Sequence, residues 1–218
     1  MKKPIIILAC LFGFIITAWV VARMTNVITF LSMQGYANNP TLPYQGKMFA
    51  TRLKDPERGS FICFKLGGES SVFRCIAKAN DIVEIKDAVV YINGKKQNEP
   101  FVWNEYLIST AQLNSILGYI EKNNYKTDII NDSTNTIILS ENDLKTYHLN
   151  LKKYILMKDT LSALYPAFKQ AGYSPDNFGP IKVPEKSFFV LGDNRHEAAD
   201  SRYIGFVKEN DVFATVIN

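Results

Sequence analysis

The sequence predicts a mainly β domain behind a single N-terminal membrane helix, with an α-rich (α+β) insert dividing the β portion in two. Three observations predict it. The run Pro4–Ala22, PIIILACLFGFIITAWVVA, carries no charge. Short apolar or alternating runs then follow one another as far as residue 103, with turn signals between them, and the same texture returns after Gly179. Between Asn104 and Phe178 the pattern turns largely helical. The organisation that follows is an anchor over 1–23, a β core from 24–103 and 179–218, and an insert over 104–178.

Taken in order, the uncharged run spans roughly 28 Å as a helix at ~1.5 Å per residue, close to the hydrocarbon thickness of a bilayer. Lys2 and Lys3 precede it and Arg23 follows; this bias favours a cytoplasmic N-terminus, with the rest of the chain outside. The competing reading is a cleaved secretory signal, whose apolar region is usually shorter, ~7–15 residues. Both readings place the folded part outside the cytoplasm. Strands are expected at Lys47–Leu53, Ser60–Lys65, Val72–Ala77, Ile82–Ile85 and Val89–Ile92, with turns at Asp55-Pro56 and Gly67-Gly68. Asn93-Gly94 reads as a tight hairpin turn because both residues tolerate positive φ. In the insert, Ser109 caps a helix over Thr110–Asn123, and Ser140 with Asp143 resembles a capping box for Glu141–Tyr154. Asp159–Ala171 is a third helix, ended by Gly172, and Thr136–Leu139 a strand. The chain returns to β at Ile181–Val183, Ser187–Leu191, Ile204–Val207 and Val212–Val216.

Composition narrows the function. Over 218 residues, 25 Lys+Arg against 21 Asp+Glu leave a net charge of +4, interleaved rather than blocked, which does not indicate a nucleic-acid surface. Hydrophobic residues at 47% and charged residues at 21% argue against disorder. No zinc spacing, GxGxxG or P-loop is present, so neither a metal nor a cofactor is expected. Three cysteines are too few for a disulfide scaffold. Cys63 and Cys75 lie on adjacent predicted strands, and two readings stand: a cross-strand disulfide, permitted outside the cytoplasm, or two buried free thiols. Cys10 is apolar filler in the anchor. Lys122, Lys126, Lys145, Lys152, Lys153 and Lys158 make the insert somewhat basic, read as a solvated face, the alternative being contact with a partner or anionic lipid heads. Trp103 and Tyr106 at its entry either dip into the membrane interface or pack in the core.

Three segments occur in a particular order. Asn39-Pro40-Thr41-Leu42 leads into QGKMFATRLKDPERGSFICFK; Phe73-Arg74-Cys75-Ile76-Ala77-Lys78-Ala79-Asn80-Asp81-Ile82-Val83 follows; GPIKVPEKSFFVLGDNRHEAADSRYIGFV runs from Gly179 to Val207. An anchor followed by these three resembles the type I signal peptidase family, most specifically in GDNR followed by AxDSRYxGFV. The resemblance covers both β portions and the anchor but not the insert. It implies a single-pass protein of the bacterial cytoplasmic membrane with an extracytoplasmic β core. Its implied partners are the lipid bilayer and extended signal-peptide-like segments or an exported or membrane protein. The family is a group of serine endopeptidases using a serine nucleophile and a lysine base, which burial keeps neutral.

The positions that carry this chemistry are replaced. The nucleophile of the family's Ser-Met-x-Pro pattern falls on Ala37, followed by Asn38. The lysine falls on Phe73, before Arg74. The hydroxyl that helps orient the lysine falls on Ala198. The family's Gly-Leu-Pro-Gly-Asp is worn down to Ala77-Lys78-Ala79-Asn80-Asp81. Ser32 and Lys78 are the nearest substitutes, each five residues away, an odd displacement that turns the side chain to the other face of a strand. His196 with Ser201 is a weaker pair, better read as a loop histidine and a structural serine. Asp193, Asn194, Arg195, Asp200, Ser201 and Arg202 remain, and in the family these brace the core.

Losing a nucleophile typically removes about six orders of magnitude in rate, roughly 8 kcal/mol. The chain is therefore expected to be an inactive relative that binds peptide or partner at the old cleft, where Phe73 adds apolar surface. The alternatives are an active signal peptidase working through Ser32 and Lys78, and an autoprotease sharing the core fold, against which the anchor and GDNR…DSR argue.

Overall fold

The computed structural model describes residues 2–24, 27–123, 125–156 and 164–217. Helix α1 (Lys2–Met24) is uninterrupted. Its stretch Lys3–Ala22 is long and apolar enough to cross a membrane, and none of its residues is buried within the chain. The side chains of Lys2 and Arg23, which carried the orientation argument, lie outside the described residues.

The first β portion contains β1 (Thr29–Ser32), β2 (Lys47–Thr51), β3 (Phe61–Leu66), β4 (Glu69–Lys78), β5 (Ile82–Lys86), β6 (Val89–Ile92) and β7 (Lys95–Lys96). The hairpin between β6 and β7 turns on Asn93 and Gly94 with φ of 52° and 75°. Both lie in the left-handed region that a two-residue turn needs to match strand twist. Asn93 also holds the turn from its side chain, Oδ1 accepting from the Ile82 amide at 2.8 Å.

The insert comprises β8 (Asn104–Ser109), α2 (Thr110–Ser115), α3 (Leu117–Asn123), β9 (Thr127–Asn131), β10 (Thr134–Leu139), α4 (Glu141–Thr146), β11 (Lys152–Lys153) and α5 (Pro166–Gln170). The helical reading of 104–178 needs correction, because four strands form a sheet ordered β11-β8-β10-β9. In β8 the buried residues Asn104, Tyr106 and Ile108 alternate with more exposed neighbours, the period of a strand. Ser140 makes the predicted capping box with Asp143, and Ser109, expected as a simple cap, makes one with Gln112. The helices they start are shorter than expected: the first breaks at Ile116 and the second ends at Thr146. The expected helix Asp159–Ala171 lies partly outside the described residues, as does Lys158; within them it is only the turn Pro166–Gln170.

The chain re-enters the core through β12 (Phe178–Lys182), β13 (Ser187–Leu191), α6 (Ser201–Ile204), β14 (Val207–Lys208) and β15 (Val212–Val216). Of the strand expected at Ile204–Val207, only Val207 is in a strand, the start of β14; Ile204 ends α6, which Asp200 caps by accepting the Arg202 amide, and Gly205 at φ 81° then turns the chain into β14. The main sheet runs β1-β2-β15-β3-β4-β13-β14, and a smaller one runs β12-β5-β6-β7. Ile76, Ala77, Phe189 and Leu191 of the main sheet meet Val83, Ile85, Val90, Ile92 and Phe178 of the smaller one in a single apolar core. The insert has its own core of Tyr106, Ile108, Ile116, Ile137 and Leu139, so Tyr106 packs inside.

Cys63 and Cys75 are both buried free thiols, so the disulfide reading fails. The register explains why. Cys63 pairs with Val72, not Cys75. The odd separation of Val72 and Cys75 puts the two thiols on opposite faces of the hairpin, and each belongs to a different apolar cluster.

Candidate functional site

The site is built around the loop after β1. The Met33 amide donates to the Gly46 carbonyl, and the Gln45 amide to the Met33 carbonyl, both at 2.9 Å, so the chain loops out from one narrow neck. Within the loop, Asn38 is fully buried, and its Nδ2 donates to the Val72 carbonyl of β4 at 2.6 Å. One residue back, the Ala37 carbonyl accepts from the Asn194 amide at 3.0 Å. Ala37 is thereby held between β4 and the loop after β13.

Ala37, Phe73 and Ala198 meet there. Phe73 and Ala198 belong to one buried cluster with Ile62, Phe64, Cys75, Phe188, Val190 and Val207, and Ala37 packs against it. The Phe73 ring lies 6.2 Å from that of Phe64, centroid to centroid. At 8% exposure it fills the site rather than lining a cleft, which corrects the expectation of an added apolar surface. Gly192 shows how tight the packing is. A methyl group on it would stand 2.3 Å from the Ala198 Cβ and 2.4 Å from the Ala37 carbonyl oxygen, so only glycine allows these segments to close. The one ionisable side chain in the cluster is Cys75. Burial, with lesser contributions from nearby charges, pushes its thiol up to about 12, so at neutral pH it is neither a base nor a nucleophile.

The proposed substitutes do not come together. Ser32 is exposed on β1 opposite Lys47. Lys78 is exposed at the end of β4. Three strands, β2, β15 and β3, separate β1 from β4. His196 and Ser201 are likewise committed elsewhere. Ser201 Oγ accepts from the Val190 amide at 2.9 Å, while both nitrogens of His196 face carboxylates, Glu105 at 2.9 Å and Asp176 at 3.0 Å.

Beside the apolar cluster stands a charged one containing all six predicted bracing residues. Arg74 donates to Asp193 through Nε at 2.7 Å and Nη2 at 2.5 Å. Its guanidinium also covers the Phe61 ring, 4.2 Å from the centroid. Arg202, 1% exposed, makes a bidentate pair with Asp200 at 2.9 Å and 2.9 Å. Its remaining donors reach the carbonyls of Pro175 and Arg195. Burial alone would lower the Arg202 pKa; the Asp200 charge outweighs it and raises it. Asp200 further accepts the Gly192 amide at 3.0 Å. Arg195 donates to Glu99 at 2.8 Å and to the Gly192 carbonyl at 3.1 Å. Asn194 donates through its side chain to the Tyr36 carbonyl at 3.3 Å. Arg74, Glu99, Glu105 and Asp176 were not picked out by sequence reasoning. Arg74 alone carried a local signal, its place beside Phe73 in the second motif.

Comparison with known proteins sets this arrangement in context. A signal peptidase I from Bacillus amyloliquefaciens is 27% identical over 175 residues, 78% of this chain and 63% of that protein. Another from Bacillus licheniformis is 26% identical over 211 residues, 92% of this chain and 82% of the other. One from Rickettsia typhi is 29% identical over 168 residues, 75% of this chain and 50% of the relative. The chain thus spans from half to about four-fifths of the length of these relatives. A crystal structure of a signal peptidase I from Enterococcus faecalis V583 superposes with a TM-score of 0.39 at 24% identity, over 76% of this chain and 98% of the other. The model of the signal peptidase, peptidase S26, family matches residues 5–217, and over that extent the chain belongs to this family.

Proposed function

We propose that this chain is a member of the signal peptidase family that has lost peptidase activity and retains the fold as a peptide-binding or partner-binding membrane protein. Ala37, Phe73 and Ala198 stand where the family keeps its nucleophile, its lysine and the hydroxyl that orients the lysine. The observation that carries this reading is their convergence in one apolar cluster. A dyad needs a hydroxyl and a neutral amine within hydrogen-bond reach; here the corresponding groups are two methyls and a benzyl ring. Phe73 closes the centre of the site, so a bound segment lies over it, along the loop bearing Ala37, rather than within it. The core over 24–103 and 179–218 faces the extracytoplasmic side of the bacterial membrane, anchored by α1, with 104–178 as an insert. An apolar recess of about 280 Å³, lined by Trp19, Ile28, Phe30 and Phe49, lies where the helix meets β1 and β2 and suits contact with acyl chains.

The reading in which Ser32 and Lys78 act as a displaced dyad has no support from their placement on exposed strands so far apart in the sheet. The test uses the full chain in detergent with a synthetic signal-peptide substrate. No cleavage is expected from the unaltered protein, and trace cleavage from Ala37→Ser combined with Phe73→Lys and Ala198→Ser. Cleavage by the unaltered chain that vanishes in Ser32→Ala would overturn the proposal.

A further inference from the structure

In the loop over residues 192–197, two titratable groups are used by neither the brace nor the apolar cluster: Glu197, which pairs with Lys126, and His196. Its side chain is 6% exposed, and both ring nitrogens are committed. Nδ1 faces Glu105 Oε2 at 2.9 Å. Nε2 faces Asp176 Oδ1 at 3.1 Å and Oδ2 at 3.0 Å. Glu105 lies on β8 of the insert. Asp176 lies on the segment leading from the insert into β12, and His196 on the core loop. One ring therefore joins three segments far apart in sequence. A neutral imidazole has one N–H and one lone pair, so it donates to one carboxylate and turns its lone pair toward the other; only the imidazolium donates to both.

The neighbouring charges are accounted for. From β10, Thr136 gives Glu105 a side-chain hydrogen bond. Lys126 also acts on Glu105, while itself hydrogen-bonding Glu197. Asp176 Oδ2 accepts the Leu156 amide at 2.8 Å. Arg202 from α6 acts on both Asp176 and His196, but its own donors engage Asp200. Lys153 of β11 feels Asp176, and its Nζ donates to the Ala88 carbonyl at 3.1 Å. The ring is therefore left facing two carboxylates, with the cations farther out and already engaged.

We propose that His196 is a proton-controlled clasp: charged, it pins the insert to the loop over residues 192–197, and on losing its proton it releases one carboxylate and loosens the insert from that loop. The same loop donates the Asn194 amide to Ala37 and the Arg195 amide to the Trp103 carbonyl, both at 3.0 Å, and accepts the Trp103 amide at Asp193. Loosening is thus transmitted to the entry of the insert and to the loop carrying Ala37. The clasp does not depend on whether the cleft binds peptide.

Burial alone would lower the His196 pKa, but the hydrogen bonds and charges of Asp176 and Glu105 outweigh it and raise it. Burial would raise the pKa values of Glu105 and Asp176; hydrogen bonding and the His196 charge lower both. The signs define a window. The histidine contribution is complete below the free value of about 6.5 and is lost as pH rises through the raised folded value. The carboxylate contribution is present above ordinary carboxylate values and is lost as pH falls through the lowered ones.

The experiment is amide hydrogen exchange by mass spectrometry on the full chain in micelles across neutral to alkaline pH, each rate divided by the chemical exchange rate at that pH. Protection over β8 and β10 is expected to fall by up to about tenfold per pH unit above roughly 6.5, levelling off beyond the His196 transition, while β3 and β4 hold. Histidine C2-hydrogen exchange on the same samples should titrate His196 above the free imidazole value of about 6.5. His196→Gln should show low, pH-independent insert protection across the window. If that variant does not fold, Glu105→Gln replaces it and should move the His196 transition, and the loss of protection with it, to lower pH. His196 titrating at or below about 6.5 overturns the proposal, as does insert protection that follows the core at every pH.

Discussion

Two clusters lie side by side at the end of β13, and they are made of opposite materials. In one, the buried Asp193, Asp200 and Arg202 and the partly buried Arg74 are charges whose partners are in place. In the other, Phe73 and Ala198 pack with Val190 and Val207, and Ala37 lies against them. They share a chain segment, since Gly192 donates its amide to Asp200 while its Cα closes against Ala37 and Ala198. The difference teaches that the two clusters are held together by different means. A buried carboxylate or guanidinium cannot lose its partner without leaving an uncompensated charge. A hydroxyl and an amine can be exchanged for apolar groups whenever packing absorbs the change.

The largest effect should come from breaking the charged side. Asp200→Ala strands Arg202 and also removes the cap of α6 and the acceptor for Gly192. The expected loss is about 3–5 kcal/mol, read from urea unfolding of the full chain in micelles. Replacing both partners, as in Asp200→Leu with Arg202→Met, should recover part of that loss, because no unpaired charge remains. A cost below about 1 kcal/mol for the single change would end the distinction between the clusters.

The apolar side comes next. Phe73→Ala removes a ring that lies beside Phe64 in the cluster against which Ala37 packs, and should cost about 3 kcal/mol by the same measurement. Phe73→Leu keeps most of the volume and should cost less than about 1.5 kcal/mol. Equal costs would mean that the cavity collapses freely and that the ring is not a packed element.

The comparison also separates what the sequence made legible from what it did not. The anchor, the Asn93-Gly94 turn and both capping boxes depend on residues a few positions apart, and their local chemistry is enough. The convergence of Ala37, Phe73 and Ala198 was readable only through the order of the motifs, since no local rule brings residues so distant together. Tertiary pairing decided the rest. β8 and β9 flank β10 in the insert sheet, but β8 sits directly before a capped helix and reads as its continuation. Ile204 looked like a strand residue until Asp200 claimed the preceding turn for α6. The clasp was illegible because Glu105 and Asp176 lie 91 and 20 positions from His196. Carboxylates in such ordinary contexts carry no signal until the fold places them on one ring.

The smallest effect is also the sharpest test of how the two clusters divide the work. Ala198 is 4% exposed and belongs to the cluster of Phe73 and Val190. Ala198→Ser buries a hydroxyl among apolar neighbours and should cost about 1 kcal/mol. Ala37→Ser, half-buried beside the loop, should stay within about 0.5 kcal/mol. In a Phe73→Lys background the same Ala198→Ser change should cost less, because the introduced amine can donate to the introduced hydroxyl. A double-mutant cycle on the two sites would read that as a favourable coupling of about 0.5–1.5 kcal/mol. Zero coupling would mean that side chains at 73 and 198 do not reach each other, and the case for a vacated dyad at this spot would fail even though both residues line the same cluster.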